Sequence, residues 1–158
     1  AVGTVIKKEA GSVGVKAVAA KDAITAIKIK SSRMLLAYGF LRKIFEVFEK
    51  FKTPIDMITT SEVAVSVTID NDAHLDQIIE ELNNIALVEV ERNQTIVSIV
   101  GNEIAKTEEV LNKLFQAINE IPVTMVSYGG SPHNISLLIP SAYKIKTLQL
   151  INKGLFDL

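Results

Sequence analysis

The sequence predicts an α+β fold made of two βαββαβ units, with the first unit inserted in the second. Residues 23–92 carry alternating strand-like segments and two helical patterns in that order, and we call them the first unit. Residues 93–155 repeat the order but lack a last strand. The spare strand at residues 14–20 fills the vacancy, and together these two segments form the second unit. Both units have the ferredoxin-like order of elements.

The first unit begins with a strand at residues 23–30, where apolar and polar residues alternate. Residues 14–20, assigned to the second unit, show a weaker version of this pattern. From Gly39 to Phe51, apolar residues recur every three or four positions, which is typical of an amphipathic helix. Pro54 ends that helix, because proline cannot continue one.

The second half of the first unit contains the clearest strand, residues 63–70, preceded by a shorter one at residues 55–60. Asn71 and Asp72 are predicted N-cap residues for the next helix. A strand at residues 86–91 completes the unit.

The second unit repeats this pattern. Its predicted strands are residues 95–100, 122–128 and 134–140, and its predicted helices are residues 104–119 and 141–153. The sequence PIDMITT at residues 54–60 matches PVTMVSY at residues 122–128, and SVTI at residues 66–69 matches SLLI at residues 136–139. This regular similarity indicates an internal duplication.

Composition narrows the function classes. With 17 basic and 18 acidic residues, the chain has a net charge of −1, which argues against a nucleic-acid-binding surface. It has no cysteine, which excludes thiolate chemistry and fits a reducing compartment such as the cytoplasm. Two histidines without cysteine make a metal site improbable. No apolar run approaches the roughly 20 residues of a membrane span, and the start without methionine suggests a piece of a longer chain.

The candidate site combines a helix start with acidic and hydroxyl groups. Gly39 begins a helix whose backbone N–H groups suit a carboxylate. Asp56 and the turn formed by Thr60, Ser61 and Glu62 are expected nearby, where a carboxylate would hold an ammonium group. The arrangement therefore suits a small zwitterion. The alternative, left open by these residues alone, is a plain helix start and a plain hairpin turn.

These residues also carry a family resemblance. The segments SRML at 32–35, GFL at 39–41, DMITTSEV at 56–63 and SVTID at 66–70 resemble the C-terminal regulatory region of monofunctional aspartokinases. The segment SYGGSPHNIS at 127–136 is similar to the matching turn of that family's second ACT domain. The resemblance covers nearly the whole chain.

The resemblance implies two ACT domains and an amino-acid effector, usually lysine, bound between the first units of two subunits. It implies a homodimer whose sheets join side by side, and an N-terminal kinase domain that uses ATP and Mg²⁺ to phosphorylate aspartate. This stretch itself is then expected to be a regulatory module without catalysis or a cofactor. Effector binding would act allosterically, by stabilising a dimer geometry in which the kinase is poorly active.

The resemblance also implies a set of effector contacts. On one side of the ligand they are Met34, Ala37, Gly39, Phe40 and Leu41, and on the other Pro54, Ile55, Asp56, Thr60, Ser61 and Glu62. Ala37 departs from the serine common in lysine-inhibited bacterial relatives, so threonine remains an alternative effector.

Two other hypotheses come from different functional classes. An enzyme of the acylphosphatase kind would need an arginine in a strand-to-helix loop and a nearby asparagine, for which Arg33 and either Asn71 or Asn134 are the candidates. A purely architectural dimerisation module would bind no amino acid.

Overall fold

The computed structural model describes residues 14–31 and 38–156. These residues form a six-stranded sheet with four α-helices. The elements are β1 (Gly14–Lys30), α1 (Phe40–Lys50), β2 (Ile58–Thr60), β3 (Ala64–Ile69), α2 (Leu75–Asn83), β4 (Leu87–Asn102), α3 (Glu108–Ala117), β5 (Met125–Ser127), β6 (Asn134–Pro140) and α4 (Lys144–Phe156). Short 3₁₀ turns at Ile104–Lys106 and Ser141–Tyr143 precede α3 and α4. The strand order is β2-β3-β1-β4-β6-β5 with every neighbouring pair antiparallel, which confirms the α+β fold class.

Two long strands run through both units. The strands predicted at residues 14–20 and 23–30 are one strand, β1, and those predicted at residues 86–91 and 95–100 are one strand, β4. Ala23 (φ 58°) and Asn93 (φ 56°) lie in the left-handed region where β1 and β4 pass from one unit to the other. Both strands thus continue across a local irregularity, and β1 shifts its register against β4 around Lys21–Ala26.

The pairing of β1 with β4 gives each unit four strands. The first half of β1 pairs with the second half of β4, as in Ala17 opposite Val100. The second half of β1 pairs with the first half of β4, as in Lys30 opposite Leu87, and with β3 on its other side. The strand at residues 14–20 therefore lies beside residues 95–100, which is the pairing that insertion of the first unit requires.

The hydrophobic core has three parts. Helices α1 and α2 cover one face of the first unit's strands, and α3 and α4 cover those of the second. Side chains alternate between the two faces of a strand, and a third cluster faces away from the helices. It comprises Ile24, Ala26, Met57, Ile96, Met125 and Leu138. Because both units contribute to it, the units pack directly against each other, and the duplicated Met57 and Met125 both take part.

The start of α2 differs from the prediction. The helix begins at Leu75 with His74 as its N-cap, and no side chain caps it. Asn71 instead accepts a hydrogen bond from the backbone N–H of Ala73 at 3.0 Å, and Asp72 pairs with Arg92 at 3.2 Å. Asparagine and aspartate can satisfy nearby backbone groups in a turn, and here that turn delays the helix.

The edge strands are also shorter than predicted. Only three residues each of the segments 55–60 and 122–128 form β2 and β5. Within residues 14–31 and 38–156, no helix is both long and apolar enough to cross a membrane.

Candidate functional site

The start of α1 has the predicted geometry. Gly39 is the N-cap, with φ 80°, a conformation that favours glycine. Phe40 is buried in the first core, whereas Leu41 is exposed. The first N–H groups of a helix have no partner within it, so a helix start of this kind suits an anion. Met34 and Ala37 lie outside the described residues.

The hydroxyl-rich turn lies at the end of the sheet where β1 finishes. Thr60 ends β2, and the N–H of Ser61 donates to the carbonyl of Ala64 at 2.8 Å. The N–H of Ser31, just after β1, donates to the carbonyl of Val63 at 3.0 Å. Glu62 is exposed on the turn. The end of α1 lies beside the start of α2 at the other end of the sheet, where Phe51 meets His74, so the start of α1 lies toward the end that carries the turn.

An open cavity of about 590 Å³ is found at this end of the first unit. Its lining residues come from the ends of β1, β3 and β4 and from the loop after α2: Lys30, Ser31, Val63, Ala64, Ile85, Ala86 and Leu87. The cavity adjoins the turn through Val63 and is large enough for an amino acid.

Asp56 lies at the opposite end of β2. Its N–H donates to the carbonyl of Thr68, near the end of β3, at 2.9 Å. Ser61 is five positions further along an extended chain, about 16 Å away. Pro54 and Ile55 come just before it, and Ile55 packs against the first core. Within one chain, therefore, the structure groups Gly39 with the turn but separates Asp56 from both, unlike the single cluster expected from sequence.

The carboxylate of Asp56 is bound to an ammonium group of the same chain. The Nζ atom of Lys21 lies 2.7 Å from Oδ1 of Asp56 and 2.8 Å from Oδ2 of Asp70. These two carboxylates, Asp56 first, raise the pKa of Lys21, and Lys21 holds the pKa of Asp70 below its usual value. Asp56 thus binds a primary ammonium of the same chain, whereas the ammonium predicted for it belongs to a ligand.

Sequence reasoning did not single out Lys21. It lies between the two segments that were predicted as separate strands, where a lysine followed by an aspartate resembles a polar connection. Asp70 was part of a quoted motif but had no assigned role. The signal in the sequence was that Lys21, Asp56 and Asp70 all lie near the ends of segments that become neighbours in an antiparallel sheet.

The turn of the second unit is closed by its own contacts. The hydroxyl of Tyr128 donates to the carbonyl of Ala105 at 2.5 Å, and the N–H of Ala105 donates to the carbonyl of Pro132 at 3.1 Å. His133 accepts a hydrogen bond at Nδ1 from the N–H of Glu103 at 3.2 Å. These bonds tie the turn to the segment before α3, which is the position that matches the first unit's helix start.

The structure also shows where the residues considered for a metal site and for an acylphosphatase-like enzyme lie. His74 lies beside Phe51, with ring centroids 6.0 Å apart. Among the residues that the structure describes, no group of three or more histidine, aspartate or glutamate side chains could hold a metal. The amide of Asn134 bonds to Ser136 at 3.1 Å. Arg33 lies outside the described residues.

Comparisons with known proteins agree on one family. A model of the ACT domain matches residues 97–155. A solved structure assigned as a C-terminal regulatory domain of aspartate kinase from Porphyromonas gingivalis is similar at 45% identity, with a TM-score of 0.80, covering 89% of this chain and 96% of that one. Escherichia coli aspartokinase III in complex with lysine and aspartate is similar at 30% identity, with a TM-score of 0.80, over 90% of this chain and 33% of that one.

A curated relative is much longer than this chain. The chain is 38% identical over 148 residues to aspartokinase 3, chloroplastic, of Arabidopsis thaliana, covering 87% of this chain and 26% of that protein. It therefore spans about a quarter of that relative's length.

Proposed function

The chain belongs to the family of C-terminal regulatory domains of aspartokinases, and we propose on this premise that it binds a free amino acid between two copies of its first unit. The observation that carries the proposal is the division of the predicted site. One end of β2 has the helix start and the hydroxyl-rich turn, and the other end has the ammonium-binding Asp56. Each copy thus presents two half-sites, and neither is complete alone.

A two-fold dimer would join these half-sites. β2 is an edge strand, so a second copy can pair with it. Two identical edges related by a two-fold axis pair antiparallel. Pairing centred on Thr59 would place Asp56 of one copy opposite the partner's Glu62, near the partner's helix start. The dimer then contains two equivalent sites, each with N–H donors from one copy and a carboxylate from the other.

Lysine is the proposed effector, with threonine as the alternative. The similar E. coli aspartokinase III structure contains lysine and aspartate. The ammonium already bound by Asp56 belongs to a lysine side chain, so the subsite is chemically suited to such a group. The outer edge of the turn, with Thr60, Ser61 and Glu62, would provide the remaining polar contacts.

The proposed role is feedback control of a longer protein. We infer that an aspartate kinase domain, using ATP and Mg²⁺, lies N-terminal to this region and that no cofactor binds within it. Effector binding would favour a dimer arrangement in which that kinase is less active, so effector and substrate affinities would be linked. The absence of cysteine is consistent with action in the cytoplasm.

Thermal unfolding tests the proposal. Lysine, threonine, methionine and S-adenosylmethionine are each added at millimolar concentration. A ligand at about 100 times its dissociation constant stabilises the folded state by about 2.7 kcal/mol. For a chain of this length, this raises the midpoint by several degrees, at about 2–4 °C per kcal/mol. A shift with lysine supports the proposal, a shift with threonine changes the effector, and no shift with any ligand favours an architectural module.

Replacing Phe45 by aspartate is expected to weaken the dimer. Phe45 is 41% exposed on α1, the helix that leads to the edge strand β2 through which the proposed dimer would form. A charge there would be desolvated on association without a partner. Sedimentation at micromolar protein concentration should show more monomer than for the wild type.

Phe115→Asp is the matched control, since Phe115 is a phenylalanine of similar exposure, 40%, on α3 of the second unit. If the control dissociates and Phe45→Asp does not, the dimer forms through the second unit.

A further inference from the structure

We propose that Lys21 competes with the effector for Asp56 and so sets the effector concentration at which the domain responds. The inference rests on the proposed function, because it concerns the same ammonium subsite. In the structure, the group bound to Asp56 is the primary ammonium of Lys21, at 2.7 Å. An amino-acid effector would bring a second ammonium to this carboxylate, and the repulsion between two cations at one carboxylate makes each weaken the binding of the other.

The competitor is held close by the strand that carries it. Lys21 lies where β1 passes between the units, next to the register shift and the left-handed Ala23. Its neighbour Asp22 is bound on the other side by Lys144 and by the hydroxyl of Thr95, at 3.0 Å from the latter. Lys21 is thus bound to residues of the first unit, and Asp22 is bound to residues of the second. The backbone of Lys21 is fixed, and its ammonium remains within reach of Asp56.

Asp70 lowers the free-energy cost of releasing Lys21 from Asp56. Lys21 contacts Asp70 at 2.8 Å as well as Asp56. When an effector takes Asp56, the Lys21 ammonium keeps a carboxylate partner. The Lys21 side chain is 48% exposed and that of Asp56 is 23% exposed, so water can hydrate the released contact. Exposed ion pairs of this kind are weak, and displacing Lys21 should reduce effector affinity by about two- to fivefold.

The same contact connects the effector site with the junction of the units. Lys21 has two carboxylate partners when the site is empty and one when it is occupied. Since Asp22 remains tied to Lys144 and Thr95, the change occurs at the point where β1 enters the first unit. β1, one of the two strands that both units share, is therefore the part of the chain that senses occupancy.

Removal of the competitor should increase affinity. Lys21→Met keeps most of the aliphatic chain but removes the ammonium. Isothermal titration calorimetry with lysine should give a dissociation constant about two- to fivefold lower than for the wild type. Lys21→Arg retains a cation and should stay within twofold of the wild type. Lys106→Met removes an exposed charge that pairs with Glu103 at 2.8 Å in the second unit, and it should change nothing.

A spectroscopic readout tests the coupling between Lys21 and the effector from the side of Lys21. The pKa of Lys21 is raised by Asp56 first and by Asp70 second. If the effector displaces Lys21, saturating lysine should lower the pKa of Lys21, measured by NMR at its side-chain carbon next to Nζ. Because the coupling is reciprocal, a Lys21 charge that weakens effector binding requires the bound effector to lower the pKa of Lys21, so an unchanged pKa would contradict the competition.

The outcomes also separate this inference from the proposed function. If lysine and threonine bind neither the wild type nor Lys21→Met, the proposed function is overturned and the role of Lys21 with it. If the wild type binds an effector and Lys21→Met binds it no more tightly, only the role of Lys21 is overturned. Tighter binding by Lys21→Met, without a change in Lys106→Met, supports both.

Discussion

Asp56→Asn is expected to weaken effector binding by about thirtyfold or more. The change keeps the shape of the side chain but removes the charge that would hold the ligand's ammonium. Removing one partner of a largely desolvated charged pair costs about 2–5 kcal/mol, and each 1.4 kcal/mol is a factor of ten in affinity. The Asp56 side chain is 23% exposed before any partner covers it, so it belongs near the lower end of this range. Calorimetric titration with the effector identified by thermal unfolding measures the loss.

The matched control is Asp72→Asn. Asp72 is another carboxylate of the first unit and pairs with Arg92 at 3.2 Å, but it is not among the predicted effector contacts. Its replacement should leave the affinity within twofold of the wild type. Equal affinity of Asp56→Asn and the wild type would remove Asp56 from the site and with it the dimer arrangement built on it.

The fold should survive the Asp56 substitution. Lys21 retains Asp70 at 2.8 Å, and the backbone N–H of Asp56 still donates to Thr68. The lost ion pair is partly exposed, so the free energy of unfolding should change by about 1 kcal/mol or less. A weakened affinity in a protein of unchanged stability then reports on the site itself.

Much of the fold was predictable because the chain repeats itself. The alternating pattern at residues 63–70 and the match between residues 54–60 and 122–128 establish the order of elements twice. The continuity of β1 and β4 was not predictable in the same way. Lys21 and Asp22 interrupt the alternation, and only the structure shows that the chain crosses this point with Ala23 at a positive φ rather than leaving the sheet.

The site was predictable in composition but not in arrangement. The motif at residues 56–63 contains both Asp56 and the turn, which suggested one cluster. Yet β2 lies between Asp56 and the turn, and even this short strand places them at opposite ends of the sheet. Sequence also could not show that Lys21 reaches Asp56, since this depends on the register of β1 relative to β3 and on the segment before β2.

Gly101→Ala is expected to lower the free energy of unfolding by about 1–3 kcal/mol, the usual cost of overpacking a tight site. A Cβ atom at Gly101 would lie 2.2 Å from the carbonyl oxygen of Gly14 and 2.6 Å from Cγ2 of Ile104. The first of these is backbone, which cannot move without disturbing the pairing of β1 with β4. Thermal unfolding should show a midpoint about 2–12 °C lower, at about 2–4 °C per kcal/mol.

Gly130→Ala is the control, because a Cβ atom at Gly130 would meet no atom within 4 Å and its φ is ordinary. It should change stability by about 0.5 kcal/mol or less. The comparison tests the inserted topology, since Gly101 contacts the segment that the start of the chain contributes to the second unit. If Gly101→Ala proves as stable as Gly130→Ala, the first half of β1 separates from β4 at little cost. If it is clearly less stable, the first half of β1 and the second half of β4 depend on each other for a common sheet.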